Sequence, residues 1–171
     1  MRFLVLTGLL LCAALRAAEA PSEYQVKAAF LLNFTKFVEW PQSAFESPDS
    51  PFTVCVLGDD PFGGSLNRLV EGESVDGRKV AIERLRRPPK HKACQVLFVA
   101  NSEKDVRAAL SAVGPGVLTV GENESFLREG GIIMFVIEGR HVRFDISQRA
   151  AANASLTVSA RLLSVARSVL K

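Results

Sequence analysis

The chain has 171 residues, 48% of them hydrophobic and 23% charged, with 21 Lys and Arg against 18 Asp and Glu for a net charge of +3. A balance so near neutral leaves no electrostatic footprint for nucleic acid. The absence of low-complexity segments and repeats excludes a fibrous or disordered architecture. Residues 1–20, MRFLVLTGLLLCAALRAAEA, open on a positive n-region at Arg2. An apolar run, Phe3 to Leu15, follows, too short to span a bilayer, and Ala18-Glu19-Ala20 forms an A-x-A cleavage site. This pattern predicts a secretory signal peptide, with 21–171 as one folded domain. Leu11 before Cys12 is not the small residue that a lipoprotein signal needs. Export excludes most chemistry that depends on ATP or NAD and permits disulfides. The leader holds Arg2, Arg16 and Glu19, so the remainder carries a net charge of +2.

Residues 23–40 predict a helix, with Val26, Ala29, Phe30, Asn33, Phe37 and Trp40 in one arc. Leu31, Phe34 and Val38 widen that face, Asn33 reads as a satisfied buried amide, and Pro41 ends the helix. Phe52–Leu57 is a short apolar run with β-branched residues, hence a buried strand. It runs into GDDPFGG and a short helix around Leu66–Val70. A loop between strand and helix is where open α/β sheets place ligands, which makes Asp59, Asp60, Phe62 and Gly63 a candidate ligand loop. The loop is neither G-x-G-x-x-G nor a phosphate loop, and helix capping by Asp59 or Asp60 is the plainer reading.

Lys79–Leu85 is a more exposed strand, followed by the basic, proline-broken loop Arg84, Arg86, Arg87, Lys90 and Lys92. Gln95–Ala100 is another buried strand. Ser102–Val113 reads as a helix capped by Ser102, with Asp105 in the capping-box position. Val117–Val120 is a strand and 123–129 a short helix. Gly131–Ile137, apolar on both alternations, reads as a central strand covered on both faces. Glu138-Gly139 turns it into a hairpin with Val142, Phe144 and Ile146. A short helix at 147–154 and a final helix from Ser159, with Leu162, Val165, Ala166, Val169 and Leu170 inward, complete the chain. Alternating helices and buried strands predict a single three-layer α/β domain with a mainly parallel central sheet, a C-terminal β-hairpin and a C-terminal helix.

Cys55 and Cys94 are the cysteines left after the leader. In an exported protein such a pair forms a structural bridge more often than two free thiols, and no C-x-x-C suggests redox catalysis. They can meet only if the strands that carry them are neighbours. His91 and His141 lack companions at metal-ligand spacing, no G-x-S-x-G elbow is present, and no cofactor is indicated. The sequons at Asn33, Asn123 and Asn153 match by short pattern alone.

The stretch YQVKAAFLLNFTKFVEWP, with Lys27, Phe30, Asn33, Phe34, Phe37, Trp40 and Pro41, closely resembles the opening of YfiR-like periplasmic proteins. The likeness continues in order through Phe52–Gly58 with Asp60-Pro61-Phe62-Gly63, then Cys94–Val99 and Val117–Val120. It runs on through Gly130–Ile133, Val142–Ile146 and Leu156–Ala166. Ser147 stands where the resemblance would put asparagine. The resemblance implies a non-enzymatic repressor that binds the periplasmic region of an inner-membrane diguanylate cyclase and keeps cyclic-di-GMP synthesis low. An OmpA-like outer-membrane lipoprotein would sequester it, and a second copy of the chain is a further candidate partner. It also implies that Cys55–Cys94 is the family's disulfide. The opening motif reads as mostly core, and Arg143, Arg161 and Arg167 as candidate partner-surface residues. The alternative function is a small-ligand sensor that passes its occupancy to a histidine kinase or another membrane partner.

Overall fold

The computed structural model describes residues 21–171, so the signal-peptide reading of 1–20 lies outside the described residues. Helix α1 (Glu23–Phe34) starts at a capping box: the Gln25 amide donates to the Ser22 hydroxyl, and the Ser22 amide donates to the Gln25 side chain at 2.7 Å. It stops at Phe34, not at Trp40. The Thr35 hydroxyl donates to the Leu32 carbonyl, and the chain then extends into strand β1 (Val38–Glu39). Aromatic and β-branched residues at 37–40 favour an extended backbone once a partner strand is present. The buried face of α1 comprises Lys27, Ala28, Leu31, Leu32 and Phe34, whereas Asn33 is exposed. A helix that is apolar almost all round carries no phase in its periodicity, which is why the predicted stripe is rotated from the real one.

Strand β2 (Phe52–Leu57) is buried at every residue. Helix α2 (Gly64–Val70) and the short strand β3 (Ser74–Val75) lead to β4 (Arg78–Leu85), and β5 (Val96–Val99) follows after a crossover without a helix. Helix α3 (Val106–Ser111) precedes β6 (Leu118–Gly121), and the antiparallel hairpin of β7 (Ile133–Glu138) and β8 (His141–Ser147) comes next. Helix α4 (Gln148–Asn153), strand β9 (Thr157–Val158), helix α5 (Ala160–Val165) and strand β10 (Ser168–Leu170) end the chain. The main sheet has the order β10-β8-β7-β6-β5-β2-β4-β3, and β1 and β9 form a separate antiparallel pair. Strands β4, β2, β5, β6 and β7 are parallel neighbours.

Two apolar cores cover the two faces of this sheet. On one face Val54, Val56 and Phe98 pack with Leu31 and Phe34 of α1 and Leu66 of α2. On the other, Cys55, Leu57, Leu97 and Val99 pack with Val106 and Ala109 of α3 and with Phe126. The result is the three-layer α/β arrangement. From β2 the chain passes through α2 to β4, then returns over β2 to β5 on the opposite face, as right-handed crossovers in opposite directions require. Leu85 and Ala93, at the two ends of that return crossover, pack into the same core as Cys55. Cys94 closes it with the Cys55–Cys94 disulfide, Cα atoms 5.9 Å apart. The neighbouring β2 and β5 satisfy the constraint that the pairing sets on strand order.

Several local expectations change. Asp105, not Ser102, caps α3, its carboxylate accepting from the Ala108 amide at 2.9 Å. Residues 124–130 form successive turns, not a regular helix. They place Phe126 over Gly121 and Gly131, where an added Cβ would come within 2.4 and 2.2 Å of its ring. Strand β7 is covered only in its first half, and Ile137 is 49% exposed. Ser147 caps α4 through its hydroxyl, which accepts from the Ala150 amide, so the serine serves where an asparagine would. The C-terminal helix is present but ends at Val165, itself 57% exposed. Beyond it β10 pairs parallel with β8, because the unfilled edge of β8 offers hydrogen bonds that a helix would leave unused.

Candidate functional site

The sheet reverses its direction of growth between β2 and β5, the usual ligand crevice of such folds. Here that crevice is closed by the chain itself. The Asp59 amide donates to the Ser102 hydroxyl at 2.8 Å, and a Cβ at Gly58 (φ +94°) would lie 2.6 Å from that oxygen. Asp60 does not cap α2, whose N-cap is Gly63. One Asp60 oxygen accepts from the Phe62 amide at 2.7 Å, and the other from Arg84 Nε at 2.7 Å. Arg84 also donates to Asn67 at 2.7 Å and to the Gly63 carbonyl at 3.3 Å. The Phe62 ring is buried against Phe98, with centroids 4.8 Å apart, and meets Tyr24 edge-on at 5.7 Å. Of the four candidate loop residues, Asp59 and Gly63 are therefore the exposed ones.

The open space lies one strand further along. A cleft of about 530 Å³ runs between the first turns of α1, the carboxyl ends of β5 and β6, and β7. Its walls include Glu23, Tyr24, Lys27, Asn101, Glu122, Glu124 and Arg167. Lys27, only 3% exposed, enters the core with its ammonium shared between Glu23, one helical turn back, and Glu122, just past β6. Tyr24 donates its hydroxyl to Glu122 at 3.1 Å, and the ammonium stands 4.6 Å from the centre of the Tyr24 ring. Burial by itself would lower the Lys27 pKa, but the hydrogen bonds to Glu122 and Glu23 outweigh it and hold it above the ordinary lysine value. Burial, then the Glu122 charge, push the Tyr24 hydroxyl up as well. Glu122 is the residue that sequence reasoning missed. The usable signal was Lys27 itself, since a lysine within an apolar helix requires a counterion from elsewhere.

The remaining motif residues are dispersed. Phe30 and Phe34 pack on Phe144 at 5.4 and 5.0 Å, and Trp40 meets Phe52 at 4.9 Å. Phe37 and Pro41 are half-buried. Arg167 forms a two-pronged ion pair with Asp145, at 2.8 and 2.5 Å, that ties β10 to β8. Arg143 and Arg161 are exposed, the latter 5.6 Å from the Phe37 ring. Among the described residues no helix is long and apolar enough to cross a membrane, and no three His, Cys, Asp or Glu converge as metal ligands.

The YfiR/HmsC-like family model matches residues 24–167, from Tyr24 in the cleft wall to Arg167 at the last strand. The chain belongs to this family. YfiR/HmsC-like proteins are periplasmic and regulatory, and the family is known in cyclic-di-GMP regulation. The fold is similar to the crystal structure of a conserved domain protein from Vibrio cholerae O1 biovar eltor, at 12% identity and a TM-score of 0.52. That similarity covers 86% of this chain and 60% of the Vibrio protein, so this chain spans about three-fifths of that protein's length. No curated protein matches the sequence.

Proposed function

We propose that this protein is a periplasmic regulatory binding protein, formed by residues 21–171 after removal of a signal peptide at 1–20. It represses a membrane diguanylate cyclase by binding the cyclase's periplasmic sensor region. The observation that carries this reading is the YfiR/HmsC-like match across nearly the whole described domain. Repression of this kind is a population shift: the repressor favours the receptor conformation that it binds more tightly. Moving a receptor from almost fully active to almost fully inactive takes about 10⁴-fold preference, on the order of 5.5 kcal/mol. An interface of ordinary size supplies that much without chemistry at the bound surface. An OmpA-like outer-membrane lipoprotein competing for the repressor would release the cyclase.

The cleft beside Lys27 supports a second reading, in which a small ligand sets the repressor's affinity or signals to a histidine kinase. Capture from solubilised membranes separates the two. The processed protein, immobilised, is expected to retain an integral-membrane diguanylate cyclase, and its addition is expected to lower cyclase turnover in membranes. Recovery of a kinase alone would favour the sensor reading, and recovery of no membrane signalling protein would overturn both.

A further inference from the structure

The return crossover from β4 to β5 is a strongly basic surface that the proposed function leaves unused. From Arg84 to Ser102 there is no acidic residue, and within nine residues stand Arg84, Arg86, Arg87, Lys90 and Lys92. Arg84 is neutralised by Asp60. None of the ion pairs among the described residues involves the other four. Their presentation is fixed at both ends. Leu85 accepts from the Gly58 amide at 3.0 Å, and the Gln95 amide donates to Thr53 at 2.9 Å. The disulfide holds Cys94 to the sheet beneath, and Pro88-Pro89 stiffens the middle. The inward positions are taken by Leu85, Ala93 and Cys94, while Arg86, Arg87 and Lys90 are exposed and Lys92 is half-buried.

We infer that this crossover is a contact for an anionic phospholipid surface, placing the protein at the membrane independently of the partner it regulates. The composition separates this from a protein interface. Protein hot spots centre on desolvated pockets where arginine acts beside Trp or Tyr anchors, and residues 86–92, RRPPKHK, carry exposed arginines with no aromatic residue beside them. Exposed cations on a proline-stiffened loop suit a diffuse plane of headgroups, where each Lys or Arg near the surface strengthens binding about fivefold. Such attraction is screened by salt.

The test is co-sedimentation of the processed protein with phosphatidylglycerol-containing vesicles and with phosphatidylcholine vesicles. Binding is expected to the first and not to the second, and to vanish at high salt. Arg86→Gln with Arg87→Gln is expected to lower partitioning about thirtyfold, with an unchanged melting temperature as the check on folding. Lys36→Gln with Arg149→Gln, exposed cations elsewhere that carry the same charge change, is expected to leave it within about threefold. Equal binding to both vesicles, or an equal loss in the two paired variants, would overturn the inference. So would a crossover variant that fails to bind a membrane protein in lipid-free detergent while the wild type ignores vesicles, since the loop would then be a protein contact. Because the vesicles contain no protein, failure here leaves the cyclase reading standing, and failure of that reading leaves this one.

Discussion

A buried ammonium stays charged here because two carboxylates share it, and that sets a pH dependence at Lys27. Its pKa and that of Tyr24 are both raised in the folded protein. Their ordinary values are about 10.4 and about 10. The folded state therefore holds these protons more firmly than the unfolded chain does. The stability they contribute is complete below about pH 10 and is lost as the pH climbs through the raised values. Urea midpoints between pH 8 and 11 should fall at the alkaline end, and Lys27→Met should flatten that fall. Lys27→Met should also cost about 3–5 kcal/mol at neutral pH, because Glu122 is left buried without its partner. Gln95 has a comparable role without charge. Its side chain accepts from the Thr53 amide and donates to the Ala44 carbonyl, both at 2.8 Å, while its own carbonyl accepts from Trp40 Nε1 at 3.0 Å. Gln95→Leu would leave two buried backbone groups unpaired and should destabilise by about 2–4 kcal/mol in urea unfolding. Nothing in the sequence marks Gln95, since its partners lie 42 and 51 residues away.

Among the elements, the buried strands were the most legible. Phe52–Leu57, Val96–Val99 and Leu118–Gly121 are apolar runs between turn signals, and such runs have little alternative to the middle of a sheet. Segment ends were less legible, because they depend on partners far along the chain. Val38–Glu39 become a strand when β9 arrives beside them, and 168–170 becomes a strand when β8 leaves an edge open. The crossover from β4 to β5 depends on its disulfide more than a helical crossover would. Closing a loop with a separation of 39 residues contributes about 4 kcal/mol in the chain-entropy picture. Both cysteines are buried, so reductant alone should act slowly on the native protein. Unfolding and refolding in reductant should lower the melting temperature by about 10 °C, read by circular dichroism. An unchanged value would show that packing of Leu85 and Ala93 is enough to hold the crossover.

For the whole molecule, the class and the strands β2 and β4 to β8 follow from the pattern of apolar runs, and the family from the ordered motifs. The cleft does not, because it is assembled from α1, two strand ends and β7 across nearly the full length of the chain. Of the three arginines expected at a partner surface, Arg167 is committed to Asp145, while Arg143 and Arg161 are exposed and are the two that the proposed interface would use. Arg143→Glu with Arg161→Glu should reduce capture of the membrane partner at least tenfold, about 1.4 kcal/mol, with the melting temperature unchanged. The position of β10 has one more consequence, for the order in which the molecule can be completed. A chain that emerges N-terminus first has both cysteines and the parallel centre of the sheet available before residues 168–170. The outer edge of β8 stays unpaired until residues 168–170 are released. Docking of β10 therefore changes what this side of the sheet presents: without it the whole outer edge of β8 is open to wrong partners, and with it the stretch Asp145–Ser147 is covered.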